Sequence, residues 1–83
     1  MFTVYVLYSK NFNKIYIGFT ADIEQRLLSH NKLANKGYTV KYRPWILAYK
    51  EEFDNKKDAI KREKQLKSAK GREFIWNYIC NLD

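Results

Sequence analysis

Apolar and polar positions alternate with a period of two at the start of the chain. Phe2, Val4, Val6 and Tyr8 fall on one side and Thr3, Tyr5, Leu7 and Ser9 on the other, predicting a strand rich in aromatic and β-branched residues. Residues 10–14, with two asparagines, read as a hairpin loop. Ile15, Ile17 and Phe19 then alternate with Tyr16, Gly18 and Thr20, predicting a second strand that pairs antiparallel with the first. Gly18 leaves no side chain to pack, as expected where a ligand or another backbone comes close. If same-side residues stand opposite, Tyr5 and Tyr16 share the face on which Gly18 is bare; a one-residue slip would separate them.

The period then becomes helical. Asp22 can cap a helix starting at Ile23, with Gln25 at the third position completing a capping-box-like pair. At 3.6 residues per turn, Ile23, Leu27 and Ala34 form one inward stripe. His30 falls inside it and Arg26 at its edge, so neither is expected to be fully solvated; Leu28 points away. Residues 36–43 carry Lys36, Lys41 and Arg43 with Gly37 and two tyrosines ahead of Pro44, predicting a mobile basic loop. Trp45, Leu47, Tyr49 and Phe53 alternate with Ala48 and Lys50 in a third strand. Asn55 caps a second helix running to about Ala69, with Ala59, Ile60 and Leu66 inward. A break near Gly71 precedes a short closing helix in which Phe74, Ile75, Tyr78 and Ile79 repeat as core positions. The expected architecture is α+β, a three-stranded antiparallel sheet flanked by helices, in a single domain over residues 1–83.

Composition narrows the class. Eighty-three residues support one modest core. Sixteen Lys and Arg against nine Asp and Glu leave a charge of +7, and 17% of residues are aromatic. Basic and aromatic together point to a nucleic-acid partner; the plainer reading is that the charge serves solubility. Cys80 is the single cysteine, which excludes an internal disulfide and a thiolate zinc cluster; it reads as a small core residue in a reducing compartment. Uninterrupted apolar runs such as residues 4–8 are far below a membrane span, and no basic segment precedes a long apolar one. The expected protein is cytoplasmic, untargeted and free of membrane, a monomer by default.

Glu63 is the oddity of the second half, because it projects between Ile60 and Leu66 on the inward face. A carboxylate turned inward must be paired, protonated or hold a cation. Either a salt bridge to Arg26 or a lysine, or a bound cation, would satisfy it. Around it Lys61, Arg62, Lys64 and Lys67 read as a basic outer face.

Taken together, these residues resemble the GIY-YIG nuclease superfamily, in its small single-domain branch related to the catalytic module of the bacterial excinuclease. Val4-Tyr5 stands in the first triplet, without its glycine, and Tyr16-Ile17-Gly18 is the second. Arg26 follows Tyr16 by ten residues, His30 comes four further on, and Glu63 lies in the later helix. Phe19 stands where related repair nucleases often carry lysine, and Asn77 is only a loose positional match for a late asparagine.

The resemblance implies metal-assisted hydrolysis of phosphodiester bonds. Carried over, Glu63 coordinates one Mg2+ or Mn2+, Arg26 clamps the phosphate, and Tyr16 with Tyr5 orients or deprotonates the attacking water. A free phenol has a pKa of about 10, so a phenolate needs the cation and Arg26 close by. His30 shares the proton work, binds phosphate, or is an ordinary half-buried histidine. Bare backbone at Gly18 and the cations Lys36, Lys41 and Arg43 would meet the nucleic acid. The expected activity is an endonuclease acting on DNA, with RNA left open, in repair or nucleic-acid processing. A non-catalytic nucleic-acid-binding module of the same fold is the alternative, and a protein-interaction domain the third.

Overall fold

The computed structural model describes residues 1–33 and 37–81. Ala34 and Lys36, both singled out in the sequence, lie outside the described residues. Three antiparallel strands, β1 (Phe2–Ser9), β2 (Lys14–Thr20) and β3 (Ile46–Phe53), form one sheet in the order β2-β1-β3. β1 is therefore central, which explains why both of its alternating sets are apolar: Val4, Tyr5, Val6 and Leu7 are all essentially inaccessible. Asn13 takes a positive φ of 54° in the β1–β2 turn, a conformation asparagine tolerates.

One face of the sheet carries Val4, Val6, Ile15, Ile17 and Ala48 against Ala59, Leu66, Ile75 and Ile79. The last four come from α3 (Lys56–Lys67) and α4 (Ala69–Cys80). On the other face Tyr5, Leu7 and Trp45 pack with Tyr16, Ile23, Leu27, Tyr42 and Leu47. That layer contains α1 (Ile23–Leu28), a π-helical turn (Ser29–Leu33) and the short α2 (Tyr38–Lys41). Among the described residues, no helix is long and apolar enough to cross a membrane.

Several local readings are corrected by the structure. The first helix leaves α geometry after Leu28, where the expected stripe ran on to Ala34. The 36–43 segment holds one helical turn, α2, where a loop was expected. Trp45 precedes β3, and a bulge puts Leu7 opposite Leu47 but Val6 opposite Tyr49. The extra residue sends Leu47 to one face and Tyr49 with Phe53 to the other, so the expected single alternation is split.

The α3–α4 break falls at Ser68, whose hydroxyl accepts from the Gly71 N–H at 3.1 Å and so caps α4. Gly71 lies inside the first turn of α4. Its role is close approach, since a Cβ there would run into the Gln65 carbonyl oxygen and stand 2.5 Å from Leu66 Cα. Of the four positions expected in the closing core, Ile75 and Ile79 are buried, whereas Phe74 and Tyr78 are exposed and lie edge-on to Tyr49. Cys80 is exposed too, at the end of α4.

Candidate functional site

The hairpin register decides which side chains meet. Tyr5 stands opposite Gly18, and Leu7 opposite Tyr16, so Tyr5 and Tyr16 share one face and are diagonal neighbours. Their rings stack with centroids 6.3 Å apart and planes at 28°. A Cβ on Gly18 would lie 2.7 Å from Tyr5 Oη, so the bare position is what lets the phenol cross the neighbouring strand.

The helix after β2 brings the next groups. Asp22 caps α1 by accepting from the Gln25 N–H at 3.1 Å. Its own N–H goes to Thr20 Oγ1, so threonine makes the return bond expected of Gln25. The wide π turn carries His30 inward to 7% exposure, with Nε2 3.0 Å from Tyr5 Oη. Its ring also lies 4.8 Å from that of Tyr16. Arg26, placed by the sequence at the edge of the inward stripe, is exposed in the last turn of α1. Its charge nevertheless reaches both Tyr5 and His30.

Electrostatics fix the protonation states. Burial pushes the Tyr5 phenol up to about 12, with Arg26 drawing it down and the Tyr16 and Glu63 charges raising it. Burial lowers His30 below its ordinary 6.5, helped by the positive charges of Arg26 and Arg43. At neutral pH the pair is an un-ionised phenol and a neutral imidazole. With the imidazole proton on Nδ1, the Tyr5 O–H donates to His30 Nε2 and the phenol oxygen stays available to accept from Arg26.

A bracket holds the π turn in place. Arg43 Nε donates to the His30 carbonyl at 2.6 Å and Nη2 to the Ser29 carbonyl at 3.3 Å. Asn31 reads the Trp45 backbone at both ends, donating to its carbonyl at 2.9 Å and accepting from its N–H at 2.7 Å. The Trp45 indole N–H donates to the Thr39 carbonyl at 2.7 Å, tying α2 to the same point. Arg43 was expected on an open basic loop; it is half-buried and clasps the backbone that carries His30. Lys41 is exposed, its ammonium 5.6 Å from the Tyr42 ring centre.

Glu63 lies on α3 with a side chain 16% exposed, and pairs with Lys67 at 3.5 Å. The pairing is with a lysine one turn on, one of the two partners the sequence left open. Arg62, read as part of a solvated face, instead pairs with Glu51 at 3.0 Å. Because β2 is an edge strand, residues from both layers meet around it. A groove of about 290 Å³ is lined by Ile15, Tyr16, Ile17, Tyr38, Lys67 and Arg72. Tyr38 continues the aromatic row, its ring 6.4 Å from Tyr16 and 4.9 Å from Tyr42. Tyr38 and Arg72 were not singled out in the sequence; the interleaving of tyrosine with basic residues in 36–43 was the available signal for the first. Asn77 is exposed on α4, its carbonyl accepting from Asn81.

A single half-buried carboxylate suits a hard cation that keeps most of its waters. Among the described residues no group of three or more His, Cys, Asp or Glu side chains could enclose a metal. The donor set thus fits Mg2+ or Mn2+ completed by water and substrate phosphate, and does not fit a tetrahedral zinc cage.

The layout is that of a small α+β domain with tyrosines and a histidine gathered at one sheet face. Residues 1–78 match the profile of the GIY-YIG catalytic domain, and the chain belongs to the GIY-YIG family, a family of nucleases acting on nucleic acid. The chain is similar to the UPF0213 proteins of Staphylococcus haemolyticus, 37% identical over 65 residues, and Staphylococcus saprophyticus, 38% identical over 65 residues. Each match covers 78% of this chain and 78% of the relative. The UPF0213 protein of Bacillus velezensis is 38% identical over 68 residues, spanning 78% of this chain and 69% of the relative. No solved structure matches the chain.

Proposed function

We propose that the protein is a divalent-cation-dependent endonuclease that hydrolyses phosphodiester bonds of DNA in repair or nucleic-acid processing. The observation that carries this reading is the contact of Tyr5 Oη with His30 Nε2, 3.0 Å apart, beneath Tyr16 and within reach of the Arg26 and Glu63 charges. Glu63 would hold the cation, Mg2+ or Mn2+, which when bound neutralises phosphate charge and lowers the pKa of water. Arg26, exposed at the end of α1, is free to clamp the phosphate and offset charge developing on it.

Tyr5, held near 12, does not ionise by itself at neutral pH. With the imidazole proton on Nδ1, the Tyr5 hydroxyl would pass its proton to His30 Nε2 as it takes one from the attacking water, so the phenol would relay and the imidazole receive. Tyr16, at the groove, orients that water. Gly18, expected among the nucleic-acid contacts, is buried beneath the Tyr5 ring and serves by making room for it, while Lys41 with Lys36 would meet flanking phosphates. Arg43, also expected among the nucleic-acid contacts, serves by holding His30.

One observation favours the non-catalytic reading: Lys67 already neutralises Glu63. A binding module would use the aromatic row and its cations without metal.

The test is cleavage of a mixed panel of duplex, nicked, branched and single-stranded DNA at low salt, with Mg2+, Mn2+ or chelator, beside Arg26→Ala. Metal-dependent products that vanish in the variant support the endonuclease. Salt-sensitive retention of the same DNA without products supports the binding module.

A further inference from the structure

The Glu63–Lys67 pair is asymmetric. The carboxylate is 16% exposed and the lysine side chain 48%, so the acid is enclosed by packing while the ammonium stands on a four-carbon stem open to solvent. The same lysine lines the groove along β2 with Tyr16, Tyr38 and Arg72. Arg72 is anchored beside it through Nε, which donates to the Lys67 carbonyl at 3.2 Å, a bond that does not involve the lysine ammonium. One ammonium thus has two destinations, the carboxylate of Glu63 and an anion in the groove.

While Lys67 sits on Glu63, a divalent cation approaching the carboxylate meets a positive charge at the same oxygen. A phosphate in the groove offers the lysine a second partner and removes that obstacle. Resting on the nuclease reading above, we propose that Lys67 is an exchangeable counter-ion: it neutralises Glu63 in the free protein and moves onto a nucleic-acid phosphate in the β2-edge groove as a divalent cation takes the carboxylate. After the exchange Lys67 is paired with one phosphate charge, and the divalent cation on Glu63 keeps one positive charge for a further phosphate oxygen; no bond to hydrogen is made or broken. Metal and nucleic acid then each favour binding of the other, a reciprocal coupling. The site stays masked until substrate is present.

The experiment reads Mn2+ binding directly, from paramagnetic broadening of amide signals around Glu63, with no turnover required. Wild type, Lys67→Met and Glu63→Gln are titrated with and without hydrolysis-resistant phosphorothioate DNA, offered as single strand and as duplex. Methionine keeps the stem at an exposed position, so the fold is retained. Without DNA, Lys67→Met should bind Mn2+ about fivefold more tightly, about 1 kcal/mol, the size of an exposed ion pair. With DNA, Mn2+ binding should tighten in wild type and tighten less, by that same factor, in Lys67→Met. Mn2+ bound equally by wild type and Lys67→Met but lost in Glu63→Gln would overturn the exchange and leave the nuclease reading standing. Mn2+ bound by none of the three would overturn both.

Discussion

Placing a methyl group on Gly18 tests how the site is built. A Cβ there would stand 2.7 Å from Tyr5 Oη, 2.9 Å from Tyr5 Cζ and 3.3 Å from Tyr16 Cε1. Carbon contacts are most favourable at about 3.5–4.0 Å, so the phenol must retreat by roughly half an ångström or more. Tyr5 has no exposed side to retreat into, and its hydroxyl is committed to His30 at 3.0 Å. Overpacking of this kind costs about 1–3 kcal/mol and the weakened hydrogen bond about 1 kcal/mol. Replacing a strand glycine returns about 0.5–1 kcal/mol. The net loss for Gly18→Ala is about 1–3 kcal/mol, a large share of the roughly 5 kcal/mol expected of so small a domain.

Urea unfolding followed through Trp45 and Trp76, which pack on opposite faces of the sheet, should show a lower midpoint with an unchanged slope. In a Tyr5→Phe background, where the nearest oxygen is gone, the same substitution should cost less. A Gly18→Ala protein as stable as its parent would refute the packing of Tyr5 over the bare position.

The remaining predictions concern protons and helix packing. His30 is the single histidine, so its titration can be followed by NMR without assignment; its midpoint should lie below 6.5. The unfolded chain then binds the extra proton first, and stability should fall as pH drops from about 6.5 through the folded midpoint; a midpoint above 6.5 would contradict the buried neutral imidazole. Arg43→Gln should raise that midpoint toward 6.5 by removing a nearby positive charge and loosening the π turn, and no change would dismiss Arg43 as the residue that positions His30. Gly71→Ala drives a methyl into the Gln65 and Leu66 backbone, which cannot step aside, and should cost about 3 kcal/mol or more in urea unfolding. A neutral result would mean that α3 and α4 do not meet so closely.

Much of the fold was legible because it is written in local periods. Residues 2–9 and 14–20 alternate cleanly, and Asp22 and Asn55 announce their helices; the hairpin register was left open by the sequence and is seen only in the pairing of Tyr5 with Gly18 and Leu7 with Tyr16. Features set by contacts between distant segments were not legible. The bulge between Val6 and Leu7 carries no glycine or proline signal in β3; it lets Leu47 face one layer and Tyr49 the other. The π turn depends on Arg43 and Asn31, partners from opposite ends of the intervening segment. Gly71 signalled a break through its own flexibility, whereas the helix ends where Ser68 caps the next one and glycine is required by the neighbouring backbone.

Tyr5, Tyr16 and His30, singled out as candidates through the family resemblance, meet as neighbours. Arg72 and Tyr38 were missed because the groove they line forms only when two layers wrap one edge strand.

The most direct measurement is single-turnover cleavage, by wild type and by Glu63→Gln, of whichever DNA in the panel is cut fastest, in Mg2+ and at matched fold content by circular dichroism. The expected result is metal-dependent cleavage by wild type and a loss of about two orders of magnitude or more in the variant. Equal rates for the two proteins would contradict a cation held by Glu63, and with it the proposed hydrolytic site.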